Sequence, residues 1–444
     1  MRRQPGRLRD ADVSYMIQPN IDLRGLVHLG KMSRGYFVTT FINQTIPFMV
    51  LPVLTRYLAP GQFANVALFS FYLAIVSALT GASVPTVIEK HFFESAKTRI
   101  AMLIGNSLLV IVAFSLAALL AIGITYPFLK KYFDLNLFWL LLVPLSACAL
   151  NVFSLGLAVM RNEKKRLLFG QHQIGNTAIN IAISLLLVVV FLQGWQGRVW
   201  GIIISYFVSM LLVYSYLQAN GYISFAISKR YFKDILGVAL PLVPNSFQAV
   251  IIAQVGIFFM QLQFSKEWLG VYAVAFQLAY AVRLLSNALA LSWSPYLFEQ
   301  FAKMDGINRM YLTRMFLALI GLMLLGAAFI IVFSGKILLV MTDLKYWDAK
   351  KFIPWLAAGF FFQGVYIFFM PFLIKFEKQG YISKVSFLSM LAMIALNFWF
   401  IRGFGYMGIA FAFAVIYFLM FLAVAWKAQQ IFPLPWLGAL KVWR

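Results

Sequence analysis

The sequence predicts an all-α membrane protein of about twelve spanning helices, on the strength of its composition and of where its charges fall. Hydrophobic residues make up 62% of the 444 and charged residues 11%, and mean hydropathy is +0.85. A soluble chain of this length needs far more charge to solvate its outside. Long apolar runs alternate instead with short basic clusters, and about 20 apolar residues at 1.5 Å each cross a hydrocarbon layer of roughly 30 Å. The runs do not alternate residue by residue, as the strands of a β-barrel would.

The twelve runs lie at 33–58, 62–87, 100–127, 136–160, 168–193 and 199–219 in the first half. In the second half they lie at 235–263, 268–295, 309–334, 352–374, 381–401 and 405–427. This divides the chain into a basic tail (1–32), a first lobe (33–219), a connecting loop (220–234), a second lobe (235–428) and a C-terminal tail (429–444). Short connections leave no room for an added soluble domain. With the N-terminus inside, 26 of the 37 Lys and Arg residues fall on inner segments and 10 on outer ones. The excess favours cytoplasmic termini. Only Arg283 belongs to neither set.

A net charge of +23 first suggests nucleic acid as a partner. Its spread between the apolar runs points to orientation signals and contacts with membrane lipids instead, and no nucleic acid is expected. Cys148 is the single cysteine, and His28, His91 and His172 are the only histidines. No disulfide, metal site or thiol relay is expected from so few ligands, and no nucleotide fingerprint implies a cofactor. The polar, basic first 32 residues lack the apolar core of a secretory signal.

Six runs on each side of the loop at Lys229–Lys233 suggest a duplicated architecture. At an offset of 207 residues, Phe63-Ala-Asn-Val-Ala-Leu-Phe69 lies over Gly270-Val-Tyr-Ala-Val-Ala-Phe276, and Gly201-Ile over Gly408-Ile. An even number of helices per half makes the repeats parallel, a pairing that encloses a cleft able to open to either side.

Arg283 is the most informative residue. A central Arg costs about 2.5–3.5 kcal/mol even on the forgiving insertion scale, so it should face protein or water. Gln277, Tyr280 and Asn287 approximate one face with it, and no acid lies deep within any predicted helix. A cavity with cations and amides but no carboxylate suits an anionic substrate. The first helix carries Asn43, Gln44, Pro47 and Pro52, and the seventh Pro241, Pro244, Asn245 and Gln248. These prolines are candidate hinges and the amides candidate sugar contacts, with static kinks and helix–helix glue as the plainer alternatives. Arg34 and Arg56, at the two ends of the first helix, either extend a cationic path or snorkel to the interface.

Three stretches give these features a family likeness: Ile46-Pro-Phe-Met-Val-Leu-Pro-Val-Leu-Thr-Arg-Tyr-Leu58, Leu240-Pro-Leu-Val-Pro-Asn-Ser246, and Asn180-Ile-Ala-Ile-Ser-Leu-Leu-Leu followed by Gly194-Trp-Gln-Gly-Arg-Val-Trp-Gly201. The chain resembles the oligosaccharide flippases of the multidrug/oligosaccharidyl-lipid/polysaccharide (MOP) exporter superfamily over residues 33–428. The resemblance implies two six-helix lobes in a V-shaped bundle around a central cationic cavity. It implies a lipid-linked oligosaccharide on undecaprenyl diphosphate as substrate, flipped by alternating access to the outer leaflet of a bacterial inner membrane. Arg283 would then bind the diphosphate, and a glycan polymerase and glycosyltransferases would act in the same pathway. Two rivals stand beside it: a cation-coupled multidrug exporter of the same superfamily, and a membrane glycosyltransferase or polymerase. The latter needs catalytic acids near a membrane face, and the longest outer loop, around Ser334–Lys351, offers only Asp343 and Asp348.

Overall fold

The computed structural model describes residues 42–436 and 438, apart from 82, 94, 133, 227 and 303–308. The predicted basic tail and Arg34 therefore lie outside the described residues. No strand occurs among those described. In the first half the helices are α1 (42–57), α2 (Pro60–Thr80), α3 (Val84–His91), α4 (Lys97–Leu129), α5 (Leu137–Asn162), α6 (Arg166–Leu185) and α7 (Gly194–Ala219). In the second they are α8 (Lys229–Gln263), α9 (Lys266–Ala302), α10 (Arg309–Val332), α11 (Ser334–Met341), α12 (Ala349–Lys375), α13 (Gln379–Phe404) and α14 (Met407–Ile431). Eleven of these are long and apolar enough to cross a membrane, and α1 occupies the place of the remaining predicted span. The protein is a multi-pass membrane protein.

Three boundaries differ from the hydropathy reading. The second predicted span is two helices, because α2 stops at Thr80 and α3 restarts with Pro85 in its first turn, where a missing N–H costs nothing. Asn151 of α5 fastens the break. Its amide donates to the Ser77 carbonyl (3.2 Å) and the Thr80 hydroxyl (3.1 Å), while its oxygen accepts from the Ser77 hydroxyl (2.7 Å). The short α11 occupies the supposed outer loop after α10. Lastly, α7 begins at Gly194 rather than 199, which draws Arg198 out of a loop and into a helix.

Burial follows the same order in both halves. In the most apolar window of each helix, 61% of α2 and α5 is buried inside the protein, against 22% for α4 and 11% for α6. In the second half 67% of α9 and α12 is buried, against 17% for α10 and 22% for α13. Each half thus has inner helices that carry its packing and outer ones that face lipid. Since lipid and protein core are equally apolar, packing, not exclusion of water, selects the inner set.

Close backbone approach supplies that packing. A Cβ on Gly201 would lie 2.0 Å from the Ser184 hydroxyl, and one on Gly408 would lie 2.3 Å from the Phe400 carbonyl carbon. These two glycines, 207 residues apart, let α7 lie against α6 and α14 against α13. Between the halves the chain at Tyr222–Ala226 is strapped to the first half. The Ser224 N–H donates to Ala101 (3.1 Å), and the Asn106 amide donates to the Ala226 carbonyl (3.0 Å). At the same end, Glu163 accepts from the hydroxyls of Tyr216 and Tyr222 and pairs with Lys165 (3.1 Å). Burial, reinforced by the Glu163 carboxylate, pushes the Tyr222 phenol up to about 12, so it stays a neutral donor.

Replacing Gly201 with Val should lower stability in detergent by roughly 1–3 kcal/mol, since the added atoms overlap α6. Gly123→Val should leave the melting temperature near that of the wild type, because a Cβ there meets nothing within 4 Å.

Candidate functional site

The two halves meet along α1 and α2 on one side and α8 and α9 on the other. At the end that the charge count assigns to the outside, the seam is closed. Every residue from Leu269 to Ala275 of α9 is buried, and Gly270 lies so near α2 that a Cβ would sit 1.8 Å from the Pro60 carbonyl oxygen. Around this crossing, Tyr346 donates to the Leu58 carbonyl (2.9 Å) and Lys345 to that of Arg56 (3.1 Å). Tyr72 donates to Gln261 (2.7 Å), whose amide donates to the Tyr132 carbonyl (2.6 Å). Lys266 faces Asp134 at 4.0 Å.

Toward the other end the helices expose faces. Leu291, Pro295 and Phe298 of α9 are exposed, as are Gly237, Leu240, Pro241, Pro244 and Asn245 of α8. Lys233, Leu236, Gly237, Leu240 and Pro241 line an open groove of about 750 Å³. Across the seam in this direction, the hydroxyls of Ser83 and Ser246 are 3.1 Å apart.

Arg283 lies about 20 Å along α9 from the Gly270 crossing, at 1.5 Å per residue. Seven residues separate it from Phe276, which sets both on one face. Phe276 packs edge-on against Phe360 of α12 and Phe413 of α14, so this face looks into the interior of the second half. The guanidinium lies over the Tyr280 ring (5.4 Å to its centre), and Tyr280 in turn meets Phe360 edge-on. Nε of Arg283 is buried without a hydrogen-bond partner, and among the described residues no carboxylate pairs with it. Close by, the Gln363 amide donates to the Tyr417 hydroxyl (2.8 Å), and the Gln363 carbonyl oxygen is buried without a partner. An uncompensated cation, a phenol and an amide thus share one interior, a set of groups fitted to an oxyanion.

The other predicted site residues are dispersed. Gln277 turns away from Arg283 and donates to the Pro47 carbonyl of α1 (3.2 Å). Asn43 accepts from Thr177 of α6, which uses its oxygen within the first half. Gln248, buried on α8, donates to the exposed Asn245 one turn earlier (3.3 Å). Asn287 and Gln44 are half-buried. Arg56 is exposed at the closed end, distant from Arg283. Pro52 is half-buried in α1, and Pro241 and Pro244 sit inside one continuous α8.

Hydropathy missed Arg198. The charge count places it in an outer loop, because the run of apolar residues starts just after it. In the structure its Nη1 donates to the side-chain amide oxygen of Asn180 and to the Ser184 hydroxyl (2.7 Å). The polar seam continues between α6 and α7, with Asn176 donating to Ser209 (2.9 Å) and Asn180 to Ser205 (3.2 Å). The clue in the sequence was the spacing of Asn176, Asn180 and Ser184, which repeats along one helix face.

Residues 34–301 match the model of the polysaccharide biosynthesis protein family. The chain belongs to that family. The match takes in both Arg198 and Arg283. A protein of the Lsg locus of Haemophilus influenzae is 22% identical over 406 residues, covering 88% of this chain and 97% of the relative. An uncharacterized membrane protein of the same organism is 23% identical over 274 residues, 61% of this chain and 65% of that protein's length. Among solved structures, a multidrug resistance MATE family transporter of the MOP superfamily, in its inward-facing conformation, aligns with a TM-score of 0.69 at 13% identity. That alignment covers 87% of this chain and 95% of the other. The outward-facing conformation of a MATE family transporter gives 0.59 at 14% identity, over 90% and 96%. This member of the polysaccharide biosynthesis family therefore has a MOP-type transporter fold.

The hydroxyl contact across the seam can be tested directly. With Cys148 replaced by Ser, the pair Ser83→Cys and Ser246→Cys should form an intramolecular disulfide on mild oxidation of membranes, read as a mobility shift reversed by reductant. Absence of the bond would contradict the approach of α3 to α8.

Proposed function

We propose that the protein flips an oligosaccharide linked to undecaprenyl diphosphate across a bacterial inner membrane for surface polysaccharide synthesis. The observation that carries this reading is Arg283, a cation inside the second half with no carboxylate beside it among the described residues and Nε without a partner. A charge so placed is costly in lipid unless an anion answers it. Diphosphate is such an anion, and the guanidinium fork suits its oxygens.

Alternating access is the mechanism the geometry favours. The seam is closed at the predicted outer end and its helices expose faces toward the inner one, and agreement is better with the inward-facing transporter than with the outward-facing one. In this reading the sugar and diphosphate enter from the cytoplasmic side while the polyprenyl chain stays in lipid. The bonds around the Gly270–Pro60 crossing then break as the outer end opens. An inside-negative potential helps an uncompensated anion outward by about 2.3 kcal/mol per charge per 100 mV. A cation-coupled drug exporter is not favoured, since the acids of the described helices, such as Glu89, Asp234, Glu267 and Glu299, lie near helix ends.

Arg283→Ala should lower flipping by about ten- to a hundredfold, the worth of a hydrogen bond to a charged group, with membrane levels unchanged. Arg283→Lys should keep partial activity, because it preserves charge and loses the planar fork. Reconstituted vesicles carrying a fluorescent lipid-linked saccharide would report both. Full transport by the alanine variant would remove Arg283 from the mechanism.

In the closed conformation, Tyr72→Phe together with Gln261→Leu removes one bridge between the halves. With Cys148 replaced by Ser, the double variant should shift the population toward outward opening, seen as increased labelling, by an impermeant thiol reagent, of a cysteine placed at Val274, which is buried one turn from Gly270 on the same face and is larger than the cysteine. Unchanged labelling would show that this bridge does not hold the outer end shut.

A further inference from the structure

Arg198 poses a question that transport through the seam does not answer. It is a second intramembrane cation, set in the first half away from Arg283. The described carboxylates of that half are engaged elsewhere: Glu89 with Arg161, Glu163 with Lys165 and two tyrosines, and Asp134 with Lys266. The partners of Arg198 are an amide and a hydroxyl, which orient the guanidinium without neutralising it.

The way it is held points to a ligand. Both side-chain bonds leave from Nη1, so the edge formed by Nε and Nη2 is the one turned to other partners. That edge offers two parallel N–H groups, the geometry that matches two oxygens of a phosphate. The residue as a whole is partly accessible, and neither Nε nor Nη2 is among the buried, unpartnered polar atoms of the described residues.

Depth identifies which phosphate. Arg198 is the fifth residue of α7, about 6 Å from the helix start, and helical side chains tilt toward the N-terminus. Its head therefore lies near the membrane surface. An aromatic cluster at the same level supports this: Trp139 of α5 lies 4.9 Å from Trp195 and 5.6 Å from Trp200, and Phe138 lies 6.3 Å from Trp200. Such clusters mark the level of lipid headgroups. Beside them, Gln62, Gln193, Gly194 and Gln196 line a cleft of about 420 Å³, with amides suited to the hydroxyls of a headgroup.

We propose that Arg198, oriented by Asn180 and Ser184, binds the phosphate of a membrane lipid in the leaflet at the α6–α7 turn. The site is separate from Arg283 and does not depend on the flippase reading. A lipid held there steadies α6 and α7 at the end where the halves are joined.

The full-length protein, purified in detergent, would be titrated with phosphatidylglycerol, with a diacylglycerol of the same chains, and with inorganic phosphate. Retained adducts would be counted by native mass spectrometry. The wild type and Arg283→Gln should hold one tight phosphatidylglycerol and little diacylglycerol. Arg198→Gln should lower that occupancy roughly tenfold, Arg198→Lys by less, and Ser184→Ala by an intermediate amount, with the lysine variant guarding against misfolding. Equal occupancy in Arg198→Gln would overturn the proposal. So would equal retention of diacylglycerol, or saturation by inorganic phosphate alone, which would make the site one for a free anion.

Discussion

Where α2 crosses α9, the absence of a side chain at Gly270 lets the two backbones touch at Pro60, and the relation between the halves depends on that contact. In lipid no hydrophobic force presses helices together, so the closeness of the crossing and the polar bonds around it determine where the molecule is joined. Tyr346, Lys345, Tyr72 and Gln261 gather at that end because the crossing brings their partners within reach. The exposed faces of α8 and α9 toward the opposite end follow from the same fact. A joint placed at one end leaves the other free to part.

Inside this frame the polar residues divide into those that hold helices together and those that hold charge. Asn151, Asn106 and Asn43 spend their amides on neighbouring helices or strands of chain, a use that lipid favours because no water competes. Arg198 and Arg283 are different in kind. Each keeps its charge among neutral neighbours, Arg283 in the interior of the second half and Arg198 between α6 and α7 near the membrane surface. An unneutralised guanidinium at each of these depths suits a group that carries phosphate.

Much of the fold was legible in the sequence, because spanning length and charge between spans are local properties. The eleven long helices fall where the apolar runs do, and Arg283 stood out through the cost of placing it there. What was not legible depends on neighbours. Helices that are apolar on all sides give no sign of which side meets lipid, so the inner role of α9 and α12 and the outer role of α10 and α13 became visible only with their packing. The end of α2 at Thr80 depends on Asn151, which lies 71 residues further on. Gln277 shared a plausible face with Arg283, yet the third of a turn between them sends it to α1 instead. Arg198 was hidden by a boundary error of a few residues, the least reliable part of any reading by hydropathy.

The bonds at the joint have an unequal division of labour. Pro47, Arg56 and Leu58 each receive a bond across the seam through a backbone carbonyl, whereas the givers, Gln277, Lys345 and Tyr346, act through their side chains. A carbonyl is present whatever residue stands at the position. Evolutionary drift in the α1–α2 corner can therefore go far without losing the closure, provided the backbone keeps its course, while the opposing side must retain specific chemical types. One side of the joint is thus free to change its side chains, and the other is held to its donors.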